Sequence, residues 1–497
     1  MDRFSYKVWV PITVVIAITL SMHHRSYDAV TGAVEQLMNQ DIFAPTRMDD
    51  SALPSSHEPN KIDKPLNVVV MYGDDWRHDA IGVAGTLPVE TPFIDWLSRN
   101  KGMRFTHNCV TSSICWISRA TLHSGKYFSR HKAEEPASED WYKDFHQAFP
   151  ALLKNAGYYV AHIGKWHTWN SGIIQKYYHH WQEYYGRHWY PGNPHPIHAT
   201  TRNQEDAVAF LKDRPKKFAD KPFFLLTAFF APHSWDGNPE QFLPQNETFH
   251  VYKNLTLKEP YDMASSFKRL PPLFTERNEA RNRWRHRFDE PTKYDKMLKN
   301  YFRLITGVDT ACKAVWDELD RQGILNETIF IFTTDNGFYH GEHGLAGKWY
   351  PHEESIRVPL VIWDPRMPDS LRGTTDDSFT LNVDLAPTIL GAANITPPKV
   401  MQGRDISDLY LRPHSPPWRK EFFYEHPVHL HKEIIPASTA LVRKELKYID
   451  WPGWDTEQLF NLTNDPLEQT DEINNPIYAN ILKEMRARHS VLREWVK

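Results

Sequence analysis

Four short runs of apolar residues, continuous rather than alternating, mark the chain at 67–72, 158–163, 223–230 and 329–333. Continuous apolar runs of this length are typical of strands that are buried on both faces of a sheet. Helical patterns separate these runs, among them residues 148–156 and the long stretch 298–321, which stops before Gly323. Strands that alternate with helices predict an α/β domain with a mostly parallel sheet flanked by helices.

The two ends of the chain have patterns of their own. Beyond residue 416, strand-like segments at 422–424, 440–442 and 447–449 precede a helical pattern over 477–495, which predicts a smaller C-terminal α+β domain, 416–497, containing an antiparallel sheet. At the start, Arg3 and Lys7 precede an apolar run over 8–20 that is short for a membrane span and typical of a secretory leader. We therefore predict a signal peptide or signal anchor over 1–22, a polar stem over 23–64 and a main domain over 65–415.

Polar residues follow each of the four predicted strands at the point where it ends. Asp74 and Asp75 follow the first, residues 165–167 the second, His233 the third, and Asp335 with Asn336 the fourth. Because ligands bind beyond the carboxyl ends of parallel strands, we expect these clusters to meet at one rim. Either acidic pair alone is more often a turn former, but two pairs at strand ends favour a metal site. Carboxylate and amide oxygens suit Ca²⁺, or less well Mg²⁺, rather than Zn²⁺.

Composition and sequons narrow the classes of function. The formal net charge of 497 residues is only -4, so no general positive field favours nucleic acid, and function must lie in a local site. Three cysteines (Cys109, Cys115 and Cys312) are too few for a disulfide framework, and the odd one is either a buried free thiol or a cysteine kept for chemistry. With the apolar leader, five Asn-x-Thr sequons predict a chain that is secreted, lysosomal or lumenal, or anchored by an uncleaved N-terminus; the candidate glycosylation sites are Asn246, Asn254, Asn326, Asn394 and Asn461.

The segment around Cys115 resembles the signature of the sulfatase family, in which Cys or Ser is followed by x-Pro-Ser-Arg and then by Leu and Gly at fixed offsets. Ile117 stands where the family usually has Pro, and the matching positions are Cys115, Ser118, Arg119, Leu122 and Gly125. Five further segments resemble the family in the correct order: 164–167, 231–233, 334–337, 347–359 and 458–466. Six motifs in order are far more specific than any single one. The chain therefore resembles the formylglycine-dependent, type I arylsulfatase-like enzymes over most of its length.

This resemblance implies an alkaline-phosphatase-like fold, a catalytic sulfatase domain at 65–415, and hydrolysis of a sulfate ester, with a sulfated carbohydrate as the expected partner. It implies that the formylglycine-generating enzyme converts Cys115 to formylglycine (3-oxoalanine), which acts as nucleophile and metal ligand. Such an aldehyde hydrate can attack sulfur and later expel sulfate as the carbonyl reforms. The implied cation, usually Ca²⁺, would be bound by Asp74, Asp75, Cys115, Asp335 and Asn336.

Further catalytic roles follow from the same resemblance. Arg119 would hold the nucleophile, and His167 would accept the proton that lets the aldehyde reform. Lys165 and Lys348 would bind sulfate oxygens, and His233, alone or with Lys348, would contact the ester and protonate the leaving alcohol. Positive groups of this kind are needed because charge moves onto the sulfate oxygens in the transition state.

Two alternatives stay open. A phosphomonoester or phosphonate hydrolase of the same fold would use the same nucleophile, although such phosphatases usually carry a second set of Asp and His metal ligands, and no clear second set is present. A catalytically inactive glycan-binding relative is favoured by Ile117 and disfavoured by the presence of the other active-site positions.

Aromatic residues near the motifs are candidates for a substrate rim. The ring-rich stretch 169–190 and Trp235 either stack on sugar faces or form an excursion packed on the core. Likewise, His340, His343 and His352 either contact substrate or are ordinary loop residues.

Overall fold

The computed structural model describes residues 64–135, 139–166, 171–259, 261, 263–412 and 416–497. The predicted leader and nearly all of the predicted stem lie outside the described residues, as does His167. Among the described residues, no helix combines the length and the apolar character needed to cross a bilayer.

An eight-stranded sheet forms the centre of the main domain. Neighbouring strands run parallel except β7, which is antiparallel to both β2 and β6, and the spatial order is β8-β2-β7-β6-β1-β5-β3-β4. The predicted mostly parallel α/β sheet is thus confirmed. The strands are β1 (Asn67–Asp74), β2 (Met103–Cys109), β3 (Tyr159–Gly164), β4 (His180–Glu183), β5 (Phe223–Pro232), β6 (Thr328–Thr334), β7 (Leu360–Trp363) and β8 (Thr375–Leu381).

Helices cover both faces of this sheet. The longer ones are α1 (Pro92–Asn100), α2 (Cys115–Ser124), α3 (Phe149–Asn155), α4 (Ala199–Lys217), α5 (Glu279–Arg287), α6 (Pro291–Arg321), α7 (Leu385–Ala392) and α8 (Ala479–Val496). Helix α6 begins seven residues before the predicted start at 298. Proline is well suited to the first helical position, and the buried Tyr294 and Met297 extend the apolar face back towards it.

Side chains of the central strands alternate between two cores. In β1, Val69 and Met71 belong to the core that includes α6, whereas Val68, Val70 and Tyr72 belong to the core on the opposite face. Both cores exclude water, so both sets of positions are apolar, and the strand is a continuous apolar run.

The C-terminal part forms a separate four-stranded antiparallel sheet, as predicted, with α8 packed against it. One hydrophobic cluster joins this sheet to Ile114, Trp116 and Ile117 beside Cys115. The C-terminal domain therefore supports the segment that carries the predicted nucleophile. Its strands are β9 (Glu421–His426), β10 (Ser438–Arg443), β11 (Leu446–Trp451) and β12 (Thr456–Asn461).

Candidate active site

Four strands of the main sheet deliver the predicted polar residues to one rim. Strand β1 ends at Asp74, β3 is followed by Lys165, β5 by His233, and β6 by Asp335 and Asn336. These strands are adjacent in the order β6-β1-β5-β3 and run parallel, so their carboxyl ends lie side by side. The structure brings these residues together with Cys115, Arg119 and Lys348.

Cys115 lies at the centre of this group. Its side chain is buried at the first position of α2, where the free N–H groups of a helix favour negative charge. The Sγ atom is 2.8 Å from Lys348 Nζ, 3.3 Å from Asp74 Oδ1, 3.6 Å from Lys165 Nζ and 3.7 Å from Asn336 Oδ1. An atom bound to the Cys115 side chain would therefore lie within reach of the Lys348 and Lys165 ammonium groups and of the Asp74 and Asn336 side-chain oxygens.

The signature residues around Cys115 fix helix α2 in place. Ser118 Oγ accepts a hydrogen bond of 2.9 Å from Asn382 Nδ2. Gly125 ends the helix at a φ of 64°, in the left-handed region that disfavours other residues, and a Cβ there would lie 3.0 Å from Met401. Ile117 is fully buried in the cluster shared with the C-terminal sheet. The helix therefore forms with isoleucine at the position where proline is usual.

Arg119 lies one helical turn beyond Cys115 and anchors the acidic side of the site. Its Nε and Nη2 atoms donate to Asp335 Oδ2 at 3.0 and 2.7 Å, and its Nη1 donates to the carbonyl oxygen of Lys165 at 2.9 Å. The guanidinium also lies over the Tyr72 ring, 5.1 Å from its centroid. Arg119 is thus held by several elements at once, as a residue that orients others must be.

The remaining charged groups form ion pairs. Lys165 Nζ contacts Asp74 and Lys348 Nζ contacts Asp75, while Asn336 Nδ2 donates to Asp75 Oδ1 at 2.7 Å. The other oxygen of Asp335, Oδ1, accepts the Asp75 backbone N–H at 3.2 Å. The carboxylates of Asp74, Asp75 and Asp335 thus face the cations of Lys165, Lys348 and Arg119. These six buried side chains together carry no net charge.

Burial and neighbouring charge shift the pKa values of these groups in different directions. Burial would raise the pKa of Asp74, but Lys165, His233 and Arg119 outweigh it and hold that pKa well below its usual range. Burial, and next the Asp74 charge, raise the pKa of Asp335 to about 6. Burial together with these carboxylates also raises the pKa of the Cys115 thiol. An unmodified Cys115 therefore keeps its proton, and a thiol is a far weaker nucleophile than a thiolate.

The oxygen atoms present fit a hard divalent cation. Ligand atoms of Asp74, Asp75, Cys115 and His233 all lie within 4.8 Å of one another. Asp75 Oδ2 is buried and accepts no hydrogen bond from the residues that the structure describes, which leaves an acceptor for a cation. Asn336 Oδ1 adds an amide oxygen beside Cys115. Predominantly oxygen donors favour Ca²⁺ or Mg²⁺ over softer metals.

His233 lies at the outer edge of the group. Its Nδ1 is 2.6 Å from the carbonyl oxygen of Ser234, and its Nε2 is 3.5 Å from Asp75 Oδ2. The Nδ1–H donates to that carbonyl, so Nε2 is left to exchange a proton with a ligand. Burial lowers the pKa of His233, with Asp75 acting in the opposite direction. The side chain keeps 11% of its surface exposed, so it borders the solvent side of the site.

Several of the other predicted rim residues pack in the core. Tyr178 and Trp181 pack on each other and on Trp166. The His343 and His352 rings stack on each other at 4.5 Å, and His340 packs against Tyr301; all three histidines are buried. His352 Nδ1 also lies 2.6 Å from Tyr339 Oη, and His343 Nε2 lies 4.0 Å from Glu354 Oε2, so these rings are held by neighbours in the core. In contrast, the ring of Tyr185 is 38% exposed and lies within range of the charge on Lys165.

Sequence reasoning missed a set of charged residues beside His233. Asp236 pairs with Arg283 and Arg287, two arginines one turn apart on α5. The signal in the sequence was the spacing of Glu279, Arg283 and Arg287, four residues apart, which places three charges on one helix face.

The remaining cysteines and the sequon asparagines differ in their burial. Cys109 and Cys312 are both buried and free. Four sequon asparagines (Asn246, Asn254, Asn326 and Asn394) are exposed. Asn461 differs, because it is buried and its Nδ2, the atom that would carry a glycan, donates to Tyr478 Oη at 2.8 Å.

Comparison with known proteins gives the same assignment over residues 66–494. The family model described as "Sulfatase" matches residues 66–395, and the model described as "N-sulphoglucosamine sulphohydrolase, C-terminal" matches residues 341–494. An N-acetylglucosamine-6-O-sulfatase of Bacteroides thetaiotaomicron is 26% identical over 87% of this chain and 87% of its own length. The human N-acetylglucosamine-6-sulfatase is 25% identical over 72% of this chain and 67% of its own length.

Solved structures share the fold. One, of a protein in complex with its substrate D-glucosamine-2-N,6-O-disulfate, superposes with a TM-score of 0.71 at 22% identity and covers 87% of this chain and 98% of that one. A phosphonate monoester hydrolase of Agrobacterium radiobacter superposes with a TM-score of 0.70 at 19% identity and covers 87% of this chain and 96% of that one. The fold alone thus serves both ester classes. The family model, which spans about two thirds of the chain, decides between them: the chain belongs to the sulfatase family and is a sulfuric ester hydrolase.

Proposed function

We propose that this enzyme hydrolyses sulfate esters on sulfated carbohydrates, using formylglycine at position 115 and a bound divalent cation, Ca²⁺. The observation that carries the proposal is the arrangement around Cys115, whose Sγ lies within 3.7 Å of Lys348, Lys165, Asp74 and Asn336 at a helix start. The carbohydrate substrate is supported by the two N-acetylglucosamine sulfatases named above and by the solved structure with bound D-glucosamine-2-N,6-O-disulfate.

Each side chain of the site has a defined task in this reaction. Lys165 and Lys348 converge on the Cys115 side chain and bind the sulfate oxygens, where they stabilise the charge that develops in the transition state. Arg119 orients the nucleophile and holds Asp335. His233, whose Nδ1–H is held by the Ser234 carbonyl, donates a proton from Nε2 of its protonated ring to the oxygen of the leaving alcohol. His167 is assigned the proton acceptor at the second step by family resemblance alone.

Formylglycine and the divalent cation complete the chemistry when both are present. Formylglycine supplies a hydrated aldehyde, of which one hydroxyl forms the bond to sulfur and the other gives up its proton as the carbonyl reforms and sulfate leaves. A cation would be held by Asp74, Asp75, Asp335 and Asn336 and would supply Lewis-acid charge. Lys165 and Lys348, which pair with Asp74 and Asp75 here, would then be free to turn towards the substrate.

Peptide mass spectrometry tests the modification directly. Protein secreted from a host with the modifying enzyme should give a peptide at Cys115 that is about 18 Da lighter than the thiol form, because sulfur is replaced by oxygen and two hydrogens are lost. The buried free thiol of Cys312 is the control, since it should keep its unmodified mass in the same digest. Finding only unmodified cysteine at position 115 would remove the proposed nucleophile.

Kinetics separate the sulfatase from a phosphate or phosphonate hydrolase. The two activities are compared on p-nitrophenyl sulfate and p-nitrophenyl phosphate. We expect kcat/KM to be higher on the sulfate ester, and a much higher value on the phosphate ester would overturn the proposal. No turnover of either substrate by protein that carries formylglycine would instead support an inactive glycan-binding relative.

We also propose that the enzyme acts in the secretory pathway or outside the cell. Support comes from the N-terminal apolar run and from four exposed sequon asparagines. Expression of the full chain in human cells, followed by fractionation and glycosidase digestion, tests the location. A cytosolic protein without glycans would contradict it.

A further inference from the structure

An acidic side chain stands at the solvent side of the active site without a task in the mechanism above. Asp236 follows His233 by three residues, and 51% of its side chain is exposed. Burial would raise its pKa, but Arg283, His233 and Arg287 outweigh burial and lower it, so the group stays ionised. It therefore presents negative oxygens to solvent next to the histidine that faces the leaving group.

Although exposed, Asp236 is held rigidly. Its Oδ1 accepts hydrogen bonds from Ser234 Oγ at 2.7 Å and from Arg287 Nη2 at 3.0 Å, and its Oδ2 accepts from Arg283 Nη2 at 3.0 Å. Surface ion pairs are usually mobile and contribute little to stability. A carboxylate fixed by three donors is instead preorganised, as a binding group needs to be.

Arg287, one of the two arginines that pair with Asp236, is costly to bury. Arg287 is 1% exposed and its guanidinium lies 5.9 and 5.8 Å from the ring centroids of Phe242 and Phe338. Its Nη1 is buried without a hydrogen-bond partner among the described residues, which costs free energy. Stability alone does not account for such an arrangement, whereas fixing Ser234 and Asp236 beside His233 does.

The second arginine, Arg283, links Asp236 to the residue that follows Lys348, the lysine proposed to bind sulfate. The Arg283 guanidinium lies over the Trp349 ring at 5.1 Å, and Trp349 directly follows Lys348. Glu279 accepts from Arg283 Nε at 2.7 Å and holds it from the other side. Asp236, three residues after His233, and Arg283, stacked on the ring next to Lys348, thus offer neighbouring acceptors and donors near the two groups proposed to flank the ester.

We infer that Asp236 and Arg283 determine specificity by binding the hydroxyl groups of the sugar that carries the sulfate ester. A hydroxyl group both donates and accepts, so two adjacent hydroxyls match an adjacent carboxylate and guanidinium. This inference rests on the proposed function, because it concerns the carbohydrate side of the same ester. An aryl sulfate has no such hydroxyls, and its turnover depends on the sulfate-binding groups instead.

The test compares one sugar and one aryl substrate in the Asp236→Asn enzyme that carries formylglycine. Released sulfate is measured by ion chromatography with glucosamine 6-sulfate and N-acetylglucosamine 6-sulfate, and the better of the two is compared with p-nitrophenyl sulfate. A lost hydrogen bond to a charged group corresponds to a decrease of about 10- to 100-fold. We expect kcat/KM on the sugar sulfate to fall by that factor relative to kcat/KM on the aryl sulfate, and Arg283→Gln should shift the ratio in the same direction.

Asp369→Asn is the matched control. Asp369 also pairs with an arginine, Arg372 at 2.7 Å, but its side chain is 92% exposed and no contact links it to the site. Its sugar-to-aryl ratio should equal that of the wild type.

An unchanged ratio in Asp236→Asn overturns the inference, whether both activities fall equally, as for a purely structural role, or neither falls. A wild-type enzyme that cleaves the aryl sulfate and none of the sugar sulfates also overturns it and leaves the sulfatase activity standing. Failure on every sulfate ester would instead overturn the proposed function, and the inference with it.

Discussion

A buried lysine joins the C-terminal sheet to the catalytic domain, and its removal tests how the two parts are held together. Lys447 lies in β11 and has no exposed surface. Its Nζ is 2.9 Å from Glu353 Oε1 and 2.9 Å from Glu468 Oε1. Glu353 begins the short helix Glu353–Ile356, five residues after Lys348. Lys447→Met keeps the length of the side chain and removes the charge.

The loss should be large, because two carboxylates would remain in a buried site without their cation. Breaking a buried ion pair by removing one partner costs about 3–5 kcal/mol. A double variant, Lys447→Met with Glu468→Gln, should recover part of that loss, because one of the two stranded charges is then gone.

The pH dependence has a defined sign. Burial raises the pKa of Glu468 to about 7, above its unfolded value, so the folded protein binds this proton more readily and stability falls as pH rises from about 4.5 to 7. Without Lys447, which lowers the pKa of both carboxyls, Glu353 and Glu468 will protonate at higher pH. Lys447→Met should therefore be less destabilised at pH 5.5 than at pH 8.

Urea denaturation at the two pH values measures both effects, with Lys444→Met as the control. Lys444 also pairs with a carboxylate, Asp377 at 2.6 Å, but both side chains are substantially exposed, so its loss should cost at most about 1 kcal/mol. A loss below about 1 kcal/mol in Lys447→Met at pH 8, or the same loss at both pH values, would refute the reasoning.

Further predictions concern the nucleophile, its helix, the cation and the glycans. Cys115→Ala should lower kcat by at least about 1,000-fold while the far-UV circular dichroism is unchanged, and residual turnover near wild type would exclude Cys115 as the nucleophile. Gly125→Ala should lower the free energy of unfolding, measured in urea, by about 1–3 kcal/mol, because it puts a Cβ at a φ of 64° against Met401. Gly157→Ala is the control for backbone strain without a contact, because Gly157 has a φ of 92° and its Cβ would meet no atom within 4 Å. EDTA dialysis should abolish aryl sulfate turnover, and added Ca²⁺ should restore it; full activity in EDTA would argue against a cation. Site mapping of secreted protein should find glycans at exposed sequons and none at Asn461, whose Nδ2 is buried, and occupancy there would contradict the Tyr478 hydrogen bond.

The central strands were predictable, and several outer ones were not. Strands β1, β5 and β6 are buried on both faces, so every position in them is apolar or nearly so. Strand β8 carries exposed and polar residues over its first half, and β2 alternates, so neither forms a continuous apolar run. Their strand character comes from pairing with each other and, for β2, with β7.

The same contrast holds for the active site. The residues that meet around Cys115 were predictable because each lies in a short motif near the end of a strand or the start of a helix. Asp236, Arg283 and Arg287 were missed because they belong to no recognisable motif. They come together only in the folded protein, where α5 packs beside the residues that follow β5. In the opposite direction, the rings of Tyr178 and His352 were candidates for substrate contact, but tertiary packing buries them.

The sequence by itself determined the mostly parallel sheet, the family and the identity of the groups around Cys115, because local apolar runs and spaced motifs encode these features directly. Only the tertiary structure decided which charges pair, that Asn461 is buried, and that Asp236 stands fixed at the solvent side of His233. The physical reason is that burial and ion pairing depend on residues far apart in the chain, as Lys348 and Asp75 are, and such distances are not encoded in local spacing.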